Sequence, residues 1–315
     1  MKKLMIVAAV AAASAAMADI ESANTVGYVD HTIAEARKEM KGQPFQVTGG
    51  GSVNLNDLVA MKGSDVCEHG EFKLWWWNTD TSWGDKARGN KYATWVEYYY
   101  DPTNEDADED GFVWGDTTWA YFAADDVDEE TPLRFVGSYA KSFAPGEGFF
   151  VQPMCANPKL VCSGEVVGAD DTVNAMRKVA YTEAMKQLVT PPFPVPVALD
   201  DIVPMKGNDV CEHGEFKLWW WNIDTSWGDK ARGNKYATWC EYYYDPTDED
   251  ADEDGLVWGV SRWAYFAADD TEEETPLPFT GDYAKTFATG DGFYIQPMCA
   301  NPFLAFPNPF KKAAE

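Results

Sequence analysis

Histidine is scarce in this chain, and the motifs that usually announce catalysis are missing. Only His31, His69 and His213 serve 315 residues. There is no C-x-x-C pair, no H-E-x-x-H, no G-x-S-x-G elbow and no phosphate loop. A zinc site, a redox dithiol, a serine hydrolase centre and nucleotide hydrolysis therefore lack their usual residues. Glycoside hydrolysis needs only two carboxylates, which abound, so a carbohydrate-active enzyme stays open as one reading. Positive charge is also short: 25 Lys and Arg stand against 52 Asp and Glu, a net charge of −27. A field of that sign repels phosphate backbones and anionic membranes, which argues against nucleic-acid partners. After the first residues no apolar run approaches the ~18 residues of a membrane helix, so no membrane insertion is expected.

The start of the chain differs in composition from the rest. Lys2 and Lys3 precede an apolar stretch from Leu4 to Ala13, and Ala16-Met17-Ala18 has the form of a cleavage site. Residues 1–18 read as a signal peptide, giving an exported chain that begins at Asp19. Periplasm, cell surface and medium are all compatible with that reading.

The dominant feature beyond it is duplication. DVCEHGEFKLWWWN occurs at Asp65–Asn78 and again at Asp209–Asn222, and both Cys67/Cys211 and Asn157/Asn301 are 144 residues apart (211 − 67 and 301 − 157). Near the unit's start, Pro44 and Pro192 are 148 apart (192 − 44), so the second copy lacks four residues there. A unit of this size is a domain, not a solenoid repeat. The expected division is residues 19–162 and 163–315.

Each unit reads as mainly β. In Phe72–Trp77, alternation sends Phe72, Leu74 and Trp76 one way and Lys73, Trp75 and Trp77 the other. Trp95–Tyr100, Trp119–Phe122 and Gly148–Gln152 are further aromatic and β-branched runs, separated by Gly, Pro, Asn and Asp. The pattern predicts two tandem antiparallel β-sandwich or barrel-like modules. A T-x-x-E box at Thr32 and Glu35, followed by Ala36 and Met40, predicts a short helix opening the first module, and Thr172–Leu188 one opening the second.

Six cysteines in an exported chain imply disulfides. The simplest pairing is Cys67–Cys155 and its copy Cys211–Cys299, one staple per module. In the chain-entropy model each contributes about 4 kcal/mol. Cys162 and Cys240 have no counterparts, since Phe306 and Val96 hold those places, and a bridge between them would join the modules.

After the tyrosine strand comes D-x-D-x-D-G: Asp106, Asp108, Asp110 and Gly111, with Phe112 next, copied as Asp250, Asp252, Asp254, Gly255 and Leu256. Alternate carboxylates in a tight loop gather hard oxygen ligands, and the next carbonyl adds another. This resembles the calcium loops of EF-hands, dockerins and thrombospondin type 3 repeats, and implies one calcium ion per module. Thr117 and Ser261 stand where an EF-hand has its bidentate Glu, and the flanks are strand-like. The competing reading is a solvated acidic turn.

Three consecutive tryptophans on one strand cannot all face one core. An exposed indole row beside Asn and Asp is how a protein stacks on a pyranose while bonding its hydroxyls. The candidates are Trp75, Trp77, Asn78, Asp80 and Trp83, repeated as Trp219, Trp221, Asn222, Asp224 and Trp227. The alternative is packing, with the second row covered.

The stretch Ile20–Tyr28, with N-T-V-G-Y at its end, together with Val53–Leu58 and Pro145–Val151, resembles a group of exported Gram-negative tandem β-repeat proteins without established activity. The resemblance implies a β-rich envelope or secreted protein. The leading expectation is a non-catalytic, calcium-stabilised protein binding glycan or another cell-surface or matrix component; the alternative is a structural envelope or matrix subunit.

Overall fold

The computed structural model describes residues 26–34, 37–78, 89–123, 126, 128–167, 174–222, 233–266 and 275–310. The chain folds into two β-modules of antiparallel sheets. In the first, a six-stranded sheet runs Leu133–Arg134, Phe112–Tyr121, Gly89–Tyr100, Phe72–Asn78, Gly148–Pro153, Glu39–Gly42. A second sheet contains Val26–Thr32, Pro158–Val166, Val59–Lys62 and Asp65–Val66, with Phe45–Gln46 added against Pro158–Val166. The second module repeats the six-stranded sheet as Gln187–Val189, Phe293–Pro297, Phe216–Asn222, Gly233–Tyr244, Leu256–Tyr265, Leu277–Pro278. Its second sheet holds Met176–Ala180, Pro302–Pro307, Val203–Lys206 and Asp209–Val210.

The core lies between the layers. Leu74, Trp76, Trp95 and Phe149 of the larger sheet pack with Ala60 and Leu160 of the smaller one. Indole N–H groups tie the layers together, because a buried donor needs an acceptor. Trp95 Nε1 donates to the Cys67 carbonyl at 2.9 Å and Trp119 Nε1 to that of Leu58 at 2.8 Å. Trp239 and Trp263 make the same bonds to Cys211 and Ile202.

The strand alternation read from Phe72–Trp77 is seen: Phe72, Leu74 and Trp76 are buried, whereas Trp77 is 59% exposed. Among the described residues the expected opening helices are not present, and the only helical turns there are 3-10 segments such as Leu55–Asp57; Glu35, Ala36, Thr172 and Val173 lie outside the described residues. Thr32 ends the strand Val26–Thr32, and Met40 lies in Glu39–Gly42. The segment 172–188 holds the strand Met176–Ala180 and the start of Gln187–Val189. Cross-strand pairing outweighed a weak helical pattern, as tertiary context commonly does for short segments. The expected boundary at Cys162 also falls inside a strand. Pro158–Val166 continues past it to pair Glu165 with Gln46 and Val166 with Phe45, so the first module extends through Val166.

The modules meet through backbone pairing about a pseudo-twofold axis. Lys41 bridges Asp291, and Val189 bridges Glu147. These are equivalent contacts, since Lys41 and Val189 differ by 148 and Glu147 and Asp291 by 144. Gly42 N donates to Gly290 O at 3.0 Å, and its counterpart Thr190 N to Gly146 O at 3.0 Å. Gly42 and Thr190 face each other across the axis: a Cβ on Gly42 would lie 2.4 Å from Thr190 Cγ2. Reciprocal contact of one patch with its own copy is the isologous mode of a symmetric dimer, here within one chain. It also covers the edges of both larger sheets, which would otherwise present unpaired N–H and C=O groups.

Candidate functional site

Joining the sheets edge to edge brings their outward rows together. Strand register aligns Tyr92, Trp75 and Phe150 in the first module, and Trp219 with Tyr294 in the second. Phe150 and Tyr294 touch across the junction, ring centroids 5.9 Å apart. The row thus runs unbroken from one tryptophan strand to the other. Two adjoining clefts lie along it, of about 1530 Å³ on the first-module side and 440 Å³ on the second. Lys38, Phe150, Lys186 and Tyr294 line both.

The two shared lysines are equivalent (186 − 38 = 148) and lie alike. Lys38 Nζ sits 4.5 Å from the Trp75 ring centre and 4.7 Å from that of Phe150. Lys186 Nζ sits 4.6 Å from Trp219 and 4.8 Å from Tyr294. An ammonium over an indole face is held by the ring quadrupole. Burial against these groups lowers the Lys38 pKa from its ordinary value.

The candidates read from the sequence divide into three sets. Trp75 and Trp77 line the larger cleft, and Trp219 and Trp221 the smaller. Trp77 and Trp221 are exposed, while Trp75 and Trp219 are half-buried beneath their lysines. Asn78 and Asn222 fall on the core-facing phase and are largely buried, yet each still lines its cleft. Asp80, Trp83, Asp224 and Trp227 lie outside the described residues. Sequence reasoning missed Lys38, Lys186, Tyr92, Phe150 and Tyr294. A signal was available, since Lys38 and Lys186 recur at the offset of the module starts, but the expected helices hid it.

The acidic loops sit elsewhere, at the far end of each tyrosine strand. Asp108 Oδ1 accepts from Asp110 N at 3.0 Å and Phe112 N at 2.8 Å, and its Oδ2 accepts from Trp114 Nε1 at 2.7 Å. These bonds hold the Asp108 carboxyl below its usual pKa, the Phe112 amide having the largest effect. The Phe112 carbonyl accepts from Asp108 N at 2.9 Å. Gly111, at φ +87°, makes the turn, and a Cβ there would lie 2.9 Å from the Tyr100 ring. Asp252 is engaged identically with Asp254, Leu256 and Trp258. Asp106 and Asp250 donate their amides to Asn104 and Asp248 side chains instead. The carboxylates of Asp106, Asp108 and Asp110, like those of Asp250, Asp252 and Asp254, are not gathered within 4.8 Å. The central acid and the carbonyl at position seven thus both accept bonds from the loop's own donors, and the three carboxylates of each loop do not converge on one point as arranged.

Each expected cysteine pair is adjacent but not joined. Cys67 and Cys155 sulfurs are 3.3 Å apart, and those of Cys211 and Cys299 3.2 Å, beyond a covalent bond. All six cysteines are free thiols and buried, and burial raises the pKa of Cys67 and Cys211. Glu71 comes within 4.8 Å of the first pair, but Lys62 Nζ lies 3.2 Å from its carboxylate, which makes the group a poor cation ligand set. Cys162 and Cys240 do not bridge: Cys162 belongs to the first module's main core and Cys240 to a separate cluster with Ala264 and Phe266. They fill the places of Phe306 and Val96 as packing residues.

His69 and His213 stack on Tyr98 and Tyr242 at centroid distances of 5.0 and 5.1 Å. His31 is buried at the junction, its pKa pushed down to about 4 mainly by burial. Among the described residues, then, the junction is where an aromatic row, cationic groups and concave volume coincide. No protein-family model matches this chain, and no curated protein or solved structure is measurably similar to it.

Proposed function

We propose that this is an exported, non-catalytic binding protein that holds a glycan on the trough at the junction of its two modules. The observation that carries this reading is the row Trp75, Phe150, Tyr294, Trp219, continuous across the junction and ending in the exposed indoles of Trp77 and Trp221. Flat apolar rings spaced along a groove suit the apolar faces of successive pyranose units. A single extended site made by both copies replaces two separate ones, so both modules contribute to one binding event. The acidic loops enter this reading as self-closed turns without an ion. The adjacent thiols close into one disulfide per module once the chain reaches an oxidising compartment.

Polysaccharide co-sedimentation with the purified protein tests the proposal. Trp75→Ala with Trp219→Ala should abolish retention while leaving the melting midpoint near that of the parent. Retention undiminished in that variant would remove the trough as the site. A second reading, a self-assembling envelope or matrix subunit, draws on the strand Val26–Thr32. It lies at the end of its sheet with Val26 67% and Tyr28 60% exposed. Filaments or sheets formed by purified protein without glycan would favour it.

A further inference from the structure

Among the described residues, the lining of the trough is positive in a strongly acidic chain. Its described lining includes Lys38, Lys41, Lys91, Lys141, Lys186 and Lys285. Against these stand only Glu39, Glu147 and Asp291, so the local balance is 6 − 3 = +3 in a chain of −27. The three acids are already engaged. Glu147 pairs with Lys141 at 2.7 Å, and Asp291 and Glu39 with Lys41 at 3.0 and 3.5 Å. Lys38 and Lys186 have no carboxylate partner among the described residues; each rests on two aromatic rings in the wall common to both clefts. In a protein with twice as many acids as bases, two cations at symmetric positions in one groove that rest on rings and meet no carboxylate among the described residues are available to an anionic ligand. Each has three N–H donors, and the rings beneath satisfy none of them as a hydrogen-bond acceptor would.

We infer that the ligand is an anionic glycan, its pyranose rings on the aromatic row and its carboxylate or sulfate groups on the Lys38 and Lys186 ammonium groups. This rests on the glycan reading and sharpens it. A charge-assisted bond in a partly desolvated groove is stronger than its neutral counterpart and aligns the sugar along the row. Surrounding negative charge makes the groove selective: a polyanion is repelled everywhere else on the surface, so it is retained only where it lies along the trough. Desolvation of Lys38 points the same way, since an incoming anion offsets that penalty.

The test compares polymers that differ only in charge, using the full mature chain. Polygalacturonate is set against its methyl ester, and dextran sulfate against dextran, at low and at high salt. The expected result is tighter binding of one or both charged forms, weakened by salt. Lys38→Gln with Lys186→Gln should reduce that binding about tenfold or more and leave the neutral forms unaffected. The arm that responds distinguishes carboxylate from sulfate. Lys38→Met with Lys186→Met keeps the apolar stems and serves if the glutamine pair melts early. Equal binding of charged and neutral forms would overturn the anionic assignment and leave the glycan reading intact. A charge preference that survives in both variants would overturn the role of these lysines. No binding of any polymer by the parent protein would overturn the glycan reading and this inference with it.

Discussion

The two halves of the module junction share one backbone pattern and carry different side chains. In one half His31, Lys41 and Asp291 face each other; in the other, Val179, Val189 and Glu147 hold the equivalent places (179 − 31 = 148). Lys41 crosses the junction to Asp291, whereas Glu147 stays within its own module on Lys141. Backbone pairing therefore defines how the modules dock, and side chains tune each half separately. One half is apolar. The other is polar, buried and titratable, because His31 Nε2 is buried there without a hydrogen-bond partner.

The largest expected difference between the halves lies at two equivalent glycines. A Cβ at Gly290, φ +70°, would fall 1.8 Å from His31 Cε1, whereas at Gly146, φ +90°, the nearest atom is Thr190 O at 3.5 Å. Gly290→Ala should cost roughly 3–4 kcal/mol, overpacking added to backbone strain, and Gly146→Ala about 1 kcal/mol, by urea denaturation. Equal losses would mean that the junction relaxes around either site.

Acidification should come next in size. The unfolded chain takes up the proton on His31 near 6.5, and the folded chain resists until about 4. Stability is thus full above pH 6.5 and is lost as pH falls toward 4, by roughly 3 kcal/mol. His31→Val, which copies the other half, should remove that part of the slope. An unchanged pH profile of denaturation in this variant would assign the loss to other groups.

Removing one partner of the crossing ion pair should cost less. Lys41 is 9% exposed, so Asp291→Asn leaves a largely buried ammonium with Glu39 alone and should destabilise by about 2 kcal/mol. Glu147→Gln, at a pair of nearly the same burial but within one module, should cost about as much. The smallest expected effect is that of calcium. Thermal melting with calcium and then with chelator should leave the midpoint unchanged in both modules. A rise would show that Asp108 and Asp252 release their own loops to bind the ion.

Much of the layer structure was legible from local pattern. The alternation in Phe72–Trp77 marks the buried and open faces of the strand, since neighbouring side chains in a strand must point oppositely. The tandem copies, and the adjacency of Cys67 with Cys155, follow from the repeat and from cysteine count. The helices expected at each module's start failed for a physical reason. Both fall on short segments whose apolar spacing fits helix and strand alike, and the open edge of a neighbouring sheet decided between them. Of the six ligand candidates among the described residues, Trp75, Trp77, Trp219 and Trp221 stand on the outward face, whereas Asn78 and Asn222 sit one step out of phase, on the buried face.

By itself the sequence determined that the chain is two copies of one β-module, strongly acidic, with one indole row of each tryptophan strand turned away from the core. Period-2 alternation and duplication are local properties, readable without knowing any partner. Only the tertiary structure decided what the outward rows face. Phe150 and Tyr294, 144 residues apart in sequence (294 − 150 = 144), become neighbours because two sheet edges satisfy each other's hydrogen bonds. That pairing turns two aromatic faces into one trough and sets Lys38 and Lys186 in its wall. Contacts across such separations leave no local pattern, and so the site could be seen only in the folded molecule.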